Sequence, residues 1–297
     1  MMSRAWLVFG LLAGCFSNAP QVGPTSSDGS GSSGGSSGGS GSGTGESSTG
    51  TGTATSDSGA DSSSGGPMLP QVGTILMKAN AEAQTKSSWA AAFGGPLEGC
   101  EIVSGEEPCT VFECGPMLPV VPDAGAIQYS LNGTWQPGPL TPDAGGHYPL
   151  ESLEVLPFTD GDSSVGFRAP GDEVPEFMVE LQPPPALDVE QSGSEIATGA
   201  PTGFQLTWTT SPGPTVTAVL RLRQQGTMVF CPVPGDSGAL TLTPLHYAML
   251  DSGSVSYELT IEREAPVTAG GWDITAVLAL TARNLEGQPV AGMFTLP

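Results

Sequence analysis

Apolar and polar residues alternate over short stretches of this 297-residue chain, and the stretches end at glycine or proline. Alternation with a period of two places successive side chains on opposite faces of a strand, so the pattern predicts β-strands. We expect strands over 71–77, 100–103, 110–113, 126–131, 134–135, 155–158, 165–167, 176–181, 204–209, 216–223, 227–231, 240–243, 255–262 and 274–281. Residues 89–93 fit either a strand or a short helix, and we assign them to a strand.

Turn signals separate these stretches. Asn132-Gly133 lies between two alternating segments and predicts a tight hairpin, because both turn positions need a positive φ. Residues 104–107 predict the turn of an earlier hairpin, and Thr243-Pro244 predicts the start of a short helical turn. Many short strands with such turns are typical of a β-sandwich.

The proline triplet 183–185 cannot join a β-ladder, so we predict a domain boundary there. About 230 residues follow the N-terminal segments, which is enough for two sandwich-sized domains. The predicted fold class is therefore all-β. Two tandem, immunoglobulin-like β-sandwich domains, 68–184 and 185–297, follow a disordered tether.

The N-terminus has a different composition. Arg4 precedes a mostly apolar run that ends in Leu12-Ala13-Gly14-Cys15. This layout resembles the lipobox of bacterial lipoproteins, which implies a signal peptide over 1–15 and a diacylglycerol on the Cys15 thiol. The run is shorter than the ~20 apolar residues that span a bilayer. Residues 16–67 are rich in Gly, Ser and Thr, and a segment without large apolar residues is predicted to be a disordered tether.

Charge excludes one class of partner. The chain has 30 acidic residues against 8 lysines and arginines, with a net charge of −22. This charge repels phosphates, and the few basic residues form no stripe, so we exclude nucleic acid as a partner. No glycine-rich phosphate loop follows a strand and opens a helix, and we predict no cofactor.

Cysteine usage agrees with export. Beyond Cys15, the chain has Cys100, Cys109, Cys114 and Cys231, an even number in a protein predicted to occupy an oxidising compartment. We predict two disulfides. Three pairings are open, and each of them joins Cys231 to the upstream cluster. The spacing matches no zinc motif, so we predict no metal site.

Together these features resemble a family of uncharacterised, myxobacterial-type surface lipoproteins. The resemblance rests on the lipobox, the Gly/Ser tether, the three-cysteine cluster, Asp123-Ala124-Gly125 with a later His147-Tyr148, the 171–177 stretch, and Cys231 ahead of Gly238 and Pro244. It implies a surface location and an all-β body, and it implies no activity.

Gly235-Asp236-Ser237-Gly238 resembles the nucleophile loop of chymotrypsin-like serine proteases. Those enzymes need a histidine base that a carboxylate orients. His147 lacks the family's motif and His246 lies downstream of the serine. Gly-Asp-Ser-Gly also suits a tight turn, so we predict no catalytic residue and no enzyme.

The alternative function is a carboxylate-dependent polysaccharide hydrolase, since paired carboxylates can hydrolyse glycosides. Its candidate residues are Asp160, Asp162, Asp172, Glu173 and Glu176. They lie among glycines and prolines, which favours solvated loop carboxylates. Residues 160–163 also begin like a calcium loop but lack the remainder of its ligand pattern.

Two tryptophans are candidates for partner binding. Trp135 follows the Asn132-Gly133 turn and Trp272 follows a glycine pair, whereas Trp208 alternates with apolar residues and is assigned to the core.

We predict a non-catalytic, lipid-anchored cell-envelope protein that serves as a binding, adhesion or structural module. No aspartate follows Cys15, which implies the outer membrane or cell surface for this class. The expected partners are the membrane, through the anchor, and an unknown envelope protein or polysaccharide.

Overall fold

Short alternating segments form strands throughout the part of the chain that the structure describes. The computed structural model describes residues 71–79, 87–94, 100–115, 120–153, 158, 164–192, 195–196, 199, 202–209 and 212–297. The predicted signal peptide with Cys15, the predicted tether, and the loop with Asp160 and Asp162 lie outside these residues. Among the described residues, no helix has the length and apolar character needed to span a bilayer.

The fold is all-β, as predicted. In chain order, the strands are β1 Val72–Ala79, β2 Ser87–Phe93, β3 Cys100–Glu106, β4 Cys109–Cys114, β5 Gln128–Leu131, β6 Thr134–Trp135, β7 Glu151–Leu153, β8 Val165–Ala169, β9 Phe177–Leu181, β10 Asp188–Val189, β11 Phe204–Thr207, β12 Thr217–Gln224, β13 Thr227–Pro234, β14 Ala239–Leu242, β15 Gly253–Ala269, β16 Trp272–Thr281, β17 Arg283–Asn284 and β18 Ala291–Leu296. Two 3-10 turns, Gly235–Ser237 and Pro244–Tyr247, flank β14.

Most strands belong to one 10-stranded sheet with the order β3-β4-β13-β12-β15-β16-β1-β2-β7, in which β18 also pairs with β15. The 17-residue strand β15 extends across its centre. Along one edge β15 pairs with β12, and along the other it pairs first with β18 and then with β16. Strand β1 lies parallel to β16, while its other neighbour, β2, is antiparallel.

A four-stranded antiparallel sheet has the order β6-β5-β8-β9. Its inner face packs against β2 of the large sheet. The ring of Phe93 in β2 lies 6.2 Å from Phe177 and 6.3 Å from Trp272, and Trp89 lies 5.2 Å from Tyr129. The Phe93–Phe177 and Trp89–Tyr129 contacts join the two sheets, as is typical of sandwich packing, whereas Phe93 and Trp272 belong to the same sheet.

The division into two tandem domains is not confirmed. The 10-stranded sheet combines β1–β4 and β7 from 68–184 with β12, β13, β15, β16 and β18 from 185–297. One apolar cluster likewise contains Phe167 and Phe177 from the first segment and Leu206 and Leu259 from the second. Pairing between strands far apart in sequence therefore continues the sheet across the proline triplet.

Local turn chemistry is confirmed in two places and shifted in a third. Asn132 and Gly133 have φ values of 49° and 74°, as the predicted hairpin turn requires. Thr243 and His246 form a capping box at the start of the 3-10 turn Pro244–Tyr247. The hairpin predicted around 104–107 is present as β3 and β4, but β3 continues to Glu106 past a β-bulge between Ile102 and Ser104, so the turn lies at Glu107 and Pro108.

Two disulfides are present, Cys100–Cys114 and Cys109–Cys231. The first joins directly paired residues of β3 and β4. The second joins β4 to β13, which are also neighbours in the sheet. The prediction that Cys231 bonds to the upstream cluster is confirmed, and both bridges connect strands of the same sheet.

A polar network is buried on one face of this sheet. Arg221 is 3% exposed and Glu262 is 1% exposed, and their side chains meet at 2.7 Å. The Arg221 guanidinium also donates to Thr260 Oγ1 and lies 5.3 Å from the Phe230 ring. This ion pair therefore has hydrogen-bonding partners within the sheet, as buried charges require.

Candidate functional site

The outer face of the four-stranded sheet carries a group of polar and aromatic side chains. In β8, Phe167 and Ala169 point into the core, and the alternation places Gly166 and Arg168 on the opposite face. The register then aligns Gln128 of β5, Arg168 of β8 and Met178 of β9 in one row across the sheet. Arg168 and Met178 are exposed, the latter at 69%.

Trp135 occupies the neighbouring row of the same face. It pairs with Ser130, and Ser130 pairs with Gly166. Adjacent strands are ~4.8 Å apart, so the Trp135 ring must cross β5 to reach Arg168, whose guanidinium lies 4.0 Å from the ring centroid. The small residues Ser130 and Gly166 leave room for the ring to cross.

Arg168 is oriented from two sides. Its guanidinium lies over the Trp135 ring, and its Nε donates to Gln128 Oε1 at 2.8 Å. Within the described ranges it forms no ion pair, unlike Arg221, Arg283 and Lys78. The outer face thus presents a positioned cation that has no ion-pair partner among the residues the structure describes. We call Trp135, Arg168 and Gln128 the Trp135–Arg168 platform.

An open groove of about 740 Å³ adjoins this platform, and we call it the outer-face groove. It is lined by Ala126, Gln128, Arg168, Ala169, Pro170, Glu176, Phe177 and Met178. Its polar groups are one guanidinium, one amide and one carboxylate, and its remaining side chains are apolar. A few polar groups among apolar walls are typical of ligand-binding sites.

The two tryptophans proposed for partner binding have different environments. Trp135 is half-buried on the outer face, as expected for a partner-binding residue. The assignment of Trp272 is wrong, because it is 6% exposed and packs edge-on against Phe93. Trp208, assigned to the core, is 5% exposed, and its indole N–H donates to the Gly235 carbonyl.

The protease-like loop forms a turn. Residues Gly235–Ser237 make a 3-10 turn, and Ser237 Oγ donates to the Ala239 carbonyl at 3.1 Å. His246 Nδ1 accepts the backbone N–H of Thr243, as part of the helical cap. Across the described segments, no hydrogen bond joins Ser237 to either histidine.

Three of the five candidate carboxylates are described, namely Asp172, Glu173 and Glu176, and all three are exposed. Of these, only Glu176 lines the outer-face groove. In the parts of the chain that the structure describes, no group of three or more His, Cys, Asp or Glu side chains has the arrangement to hold a metal ion.

Sequence reasoning missed most of the site. It named Trp135 as a binding residue and Glu176 as a carboxylate, but it treated Arg168 as one of several scattered cations. Strand alternation places Arg168 opposite the apolar Phe167 and Ala169, and this signal points to an outward side chain. The contact with Trp135 depends on the register between β5 and β8, which local sequence does not encode.

No family model matches this chain, and no curated protein does either. Weak overlaps with solved structures exist. A tetra-tandem repeat from the extending region of a large adhesion protein is 13% identical with a TM-score of 0.21, covering 75% of this chain and 74% of that one. A 1.5-MDa bacterial ice-binding adhesin, in a study of host cell surface retention, is 12% identical with a TM-score of 0.18, covering 72% of this chain and 65% of that one. A Ca²⁺-stabilised adhesin of an Antarctic bacterium is 14% identical with a TM-score of 0.17, covering 73% and 49%. TM-scores this low carry no argument about fold or function.

Proposed function

We propose that this chain is a non-catalytic, lipid-anchored protein of the cell envelope, at the outer membrane or cell surface. It acts as a binding or adhesion module through the outer face of the four-stranded sheet. The observation that carries this proposal is the exposed Arg168, which is held 4.0 Å from the Trp135 ring and forms no ion pair with any described residue. A cation positioned in this way is ready to contact a ligand at a low cost in side-chain entropy.

The anchor follows from the resemblance to a lipobox at Cys15, and it can be tested separately from binding. Cells that produce the wild-type chain should incorporate radiolabelled palmitate into it and retain it in the membrane fraction. Cys15→Ser should abolish both, because the thiol that accepts the lipid is missing. An unchanged label and an unchanged fractionation in this variant would remove the anchor from the proposal.

Binding is tested with the full-length protein, solubilised in a mild detergent, on isolated envelope fractions. Trp135→Ala and Arg168→Met should each weaken retention by roughly tenfold, because each removes one half of the platform. Glu173→Gln is the matched control, since Glu173 is exposed nearby but does not line the groove. If both platform variants bind like the wild type, the outer face is not the binding surface.

The hydrolase alternative predicts turnover in the same assay. Glycoside hydrolysis by carboxylates uses two of them across the scissile bond. The described lining of the outer-face groove supplies one carboxylate, Glu176, so it does not favour this function over binding. Release of new reducing ends that Glu176→Gln abolishes would establish the hydrolase instead.

A further inference from the structure

We infer that the ligand of the outer-face groove is a neutral polysaccharide. This inference deepens the proposed function and rests on it. It names the chemical class that the groove recognises.

The polar groups of the groove select for a ligand that both donates and accepts hydrogen bonds. Arg168 only donates, ionised Glu176 only accepts, and Gln128 does both. A sugar hydroxyl donates one hydrogen bond and accepts others, so neighbouring hydroxyls on one ring can satisfy all three side chains. The three polar groups are also planar, which lets guanidinium and carboxylate groups make paired hydrogen bonds to adjacent hydroxyls.

The apolar lining matches the rest of a sugar ring. Ala126, Pro170 and Met178 supply the apolar side chains beside the polar groups, whereas the side chain of Phe177, another lining residue, points into the core. The C–H faces of a pyranose ring are apolar while its rim carries hydroxyls. A ring in the groove therefore buries its faces against carbon and directs its rim at the polar side chains. The unbranched Met178 side chain adapts to irregular apolar surfaces.

Charge argues against ionic polymers. The groove contains one positive and one negative side chain, Arg168 and Glu176, within a chain of net charge −22. A polyanion would meet the long-range repulsion of the whole chain and the local repulsion of Glu176. The net charge of the chain would attract a polycation, but within the groove a polycation would place its charges against Arg168. A neutral polymer avoids both penalties and uses both side chains.

The volume of the outer-face groove fits a short stretch of polysaccharide. A volume of about 740 Å³ lies within the range of about 300–1,000 Å³ that is typical of small-ligand sites. The groove is open, so a chain of sugars can enter and leave it at its ends. Arg168 is oriented beforehand by Gln128 and Trp135, which reduces the ordering that binding requires.

The experiment measures binding of the full-length, detergent-solubilised protein to four immobilised polymers. Two are neutral, a β-glucan and a galactomannan, one is the polyanion polygalacturonate, and one is the polycation chitosan. We expect saturable binding to at least one neutral polymer. Raising NaCl from about 50 to about 500 mM should change this affinity less than roughly twofold, because neutral contacts are not screened.

Variants locate the site. Arg168→Met and Glu176→Gln should each weaken binding to the neutral polymer by roughly tenfold, since each removes hydrogen bonds of a charged group. Arg168→Lys should restore only part of the affinity, because an ammonium lacks the planar pair of donors. Glu173→Gln should leave binding unchanged.

The outcomes separate this inference from the proposed function. Binding only to polygalacturonate or chitosan, with a steep salt dependence, overturns the neutral class but keeps the site. Absence of binding to all four polymers, while Arg168→Met still weakens retention on envelope fractions, also overturns the polysaccharide and leaves the binding module standing. If Arg168→Met affects neither polymers nor envelope fractions, both proposals are wrong.

Discussion

Two regions of this protein each place an arginine beside an aromatic ring, and they use the pair differently. In the 10-stranded sheet, Arg221 is 3% exposed, lies 5.3 Å from Phe230 and forms an ion pair with Glu262. On the four-stranded sheet, Arg168 is exposed, lies 4.0 Å from Trp135 and is held by the neutral Gln128.

The difference between the two arginines lies in their counter-charges. Desolvation makes an unpaired buried cation costly, so Arg221 needs Glu262 for the fold to be stable. Arg168 remains exposed to solvent, and among the described residues it has no ion-pair partner. The comparison teaches that an arginine–aromatic contact alone does not mark a binding site. The proposal for Arg168 rests in addition on its exposure and on its hydrogen bond with Gln128.

The largest loss of stability is expected from removal of the disulfides in the 10-stranded sheet. Cys109–Cys231 closes a loop of 122 residues and Cys100–Cys114 one of 14. By chain-entropy arguments, replacing both cysteines of the long bridge with alanine should cost about 5 kcal/mol, against about 3 kcal/mol for the short one. Urea unfolding under oxidising conditions measures both. Equal losses for the two bridges would show that loop length does not set their contribution.

A matched pair of substitutions tests the comparison itself. Arg221→Met leaves the Glu262 carboxylate buried without its partner and should destabilise the fold by about 3–5 kcal/mol. Arg168→Met changes an exposed side chain and should shift stability by no more than about 0.5 kcal/mol. Chemical denaturation at neutral pH gives both values. A loss for Arg168→Met as large as that for Arg221→Met would assign a structural role to the outer-face arginine.

The sequence predicted the strands, one hairpin and the need for a disulfide to Cys231. Alternation located most strands, Asn132-Gly133 identified its hairpin, and the cysteine count required a long-range bond to Cys231. The sheet that crosses residues 183–185 was not foreseen, because the partner of a strand depends on tertiary contacts and not on its own alternation.

The same limit applies to aromatic and charged side chains. Trp272 follows a glycine pair as an exposed turn residue would, yet it opens β16 and faces the core beside Phe93. Arg221 and Arg168 both lie in alternating segments, and sequence does not distinguish them. Only the neighbouring strands supply Glu262 to one and Gln128 to the other.

A smaller effect, on the pH dependence of stability, is expected from Glu264, whose pKa responds to Glu262 of the buried Arg221–Glu262 pair. Burial and, to a lesser extent, the charge of Glu262 together raise the pKa of Glu264 from its usual value of 4.5 to about 7. The folded state then binds its proton more tightly than the unfolded state does, so stability is highest below pH 4.5 and falls as pH rises through about 7. The total loss is on the order of 2–3 kcal/mol.

Glu264→Gln tests this dependence, because the amide stays neutral at every pH. The variant should be more stable than the wild type at pH 8 and should lose the decline between pH 5 and about 7. Thermal unfolding across this range measures the slope. The control is Glu176→Gln on the exposed outer face, which should leave the slope unchanged. An identical slope in Glu264→Gln would assign the pH dependence to another group.

A further small change in stability is expected on the outer face at Gly166, which lies beside Ser130, the residue paired with Trp135. A Cβ at this position would come within 2.5 Å of Ser130 Oγ. Gly166→Ala should therefore rotate the Ser130 hydroxyl towards the ring and displace Trp135 from Arg168, at a cost to stability of about 1 kcal/mol. Binding to the neutral polymer should weaken by roughly threefold, since the platform loses its order but keeps its groups.

Rescue distinguishes displacement of the ring from general damage to the sheet. Ser130→Gly removes the hydroxyl that the new methyl group would meet, so the double variant Gly166→Ala/Ser130→Gly should regain most of the affinity. The difference in tryptophan fluorescence between each protein and its Trp135→Phe derivative reports the environment of the Trp135 ring, and it should shift in the single variant and return in the double one. If affinity falls in Gly166→Ala and the double variant does not recover it, crowding at Ser130 is not what positions Trp135, and the order of the platform must come from Arg168 and Gln128 alone.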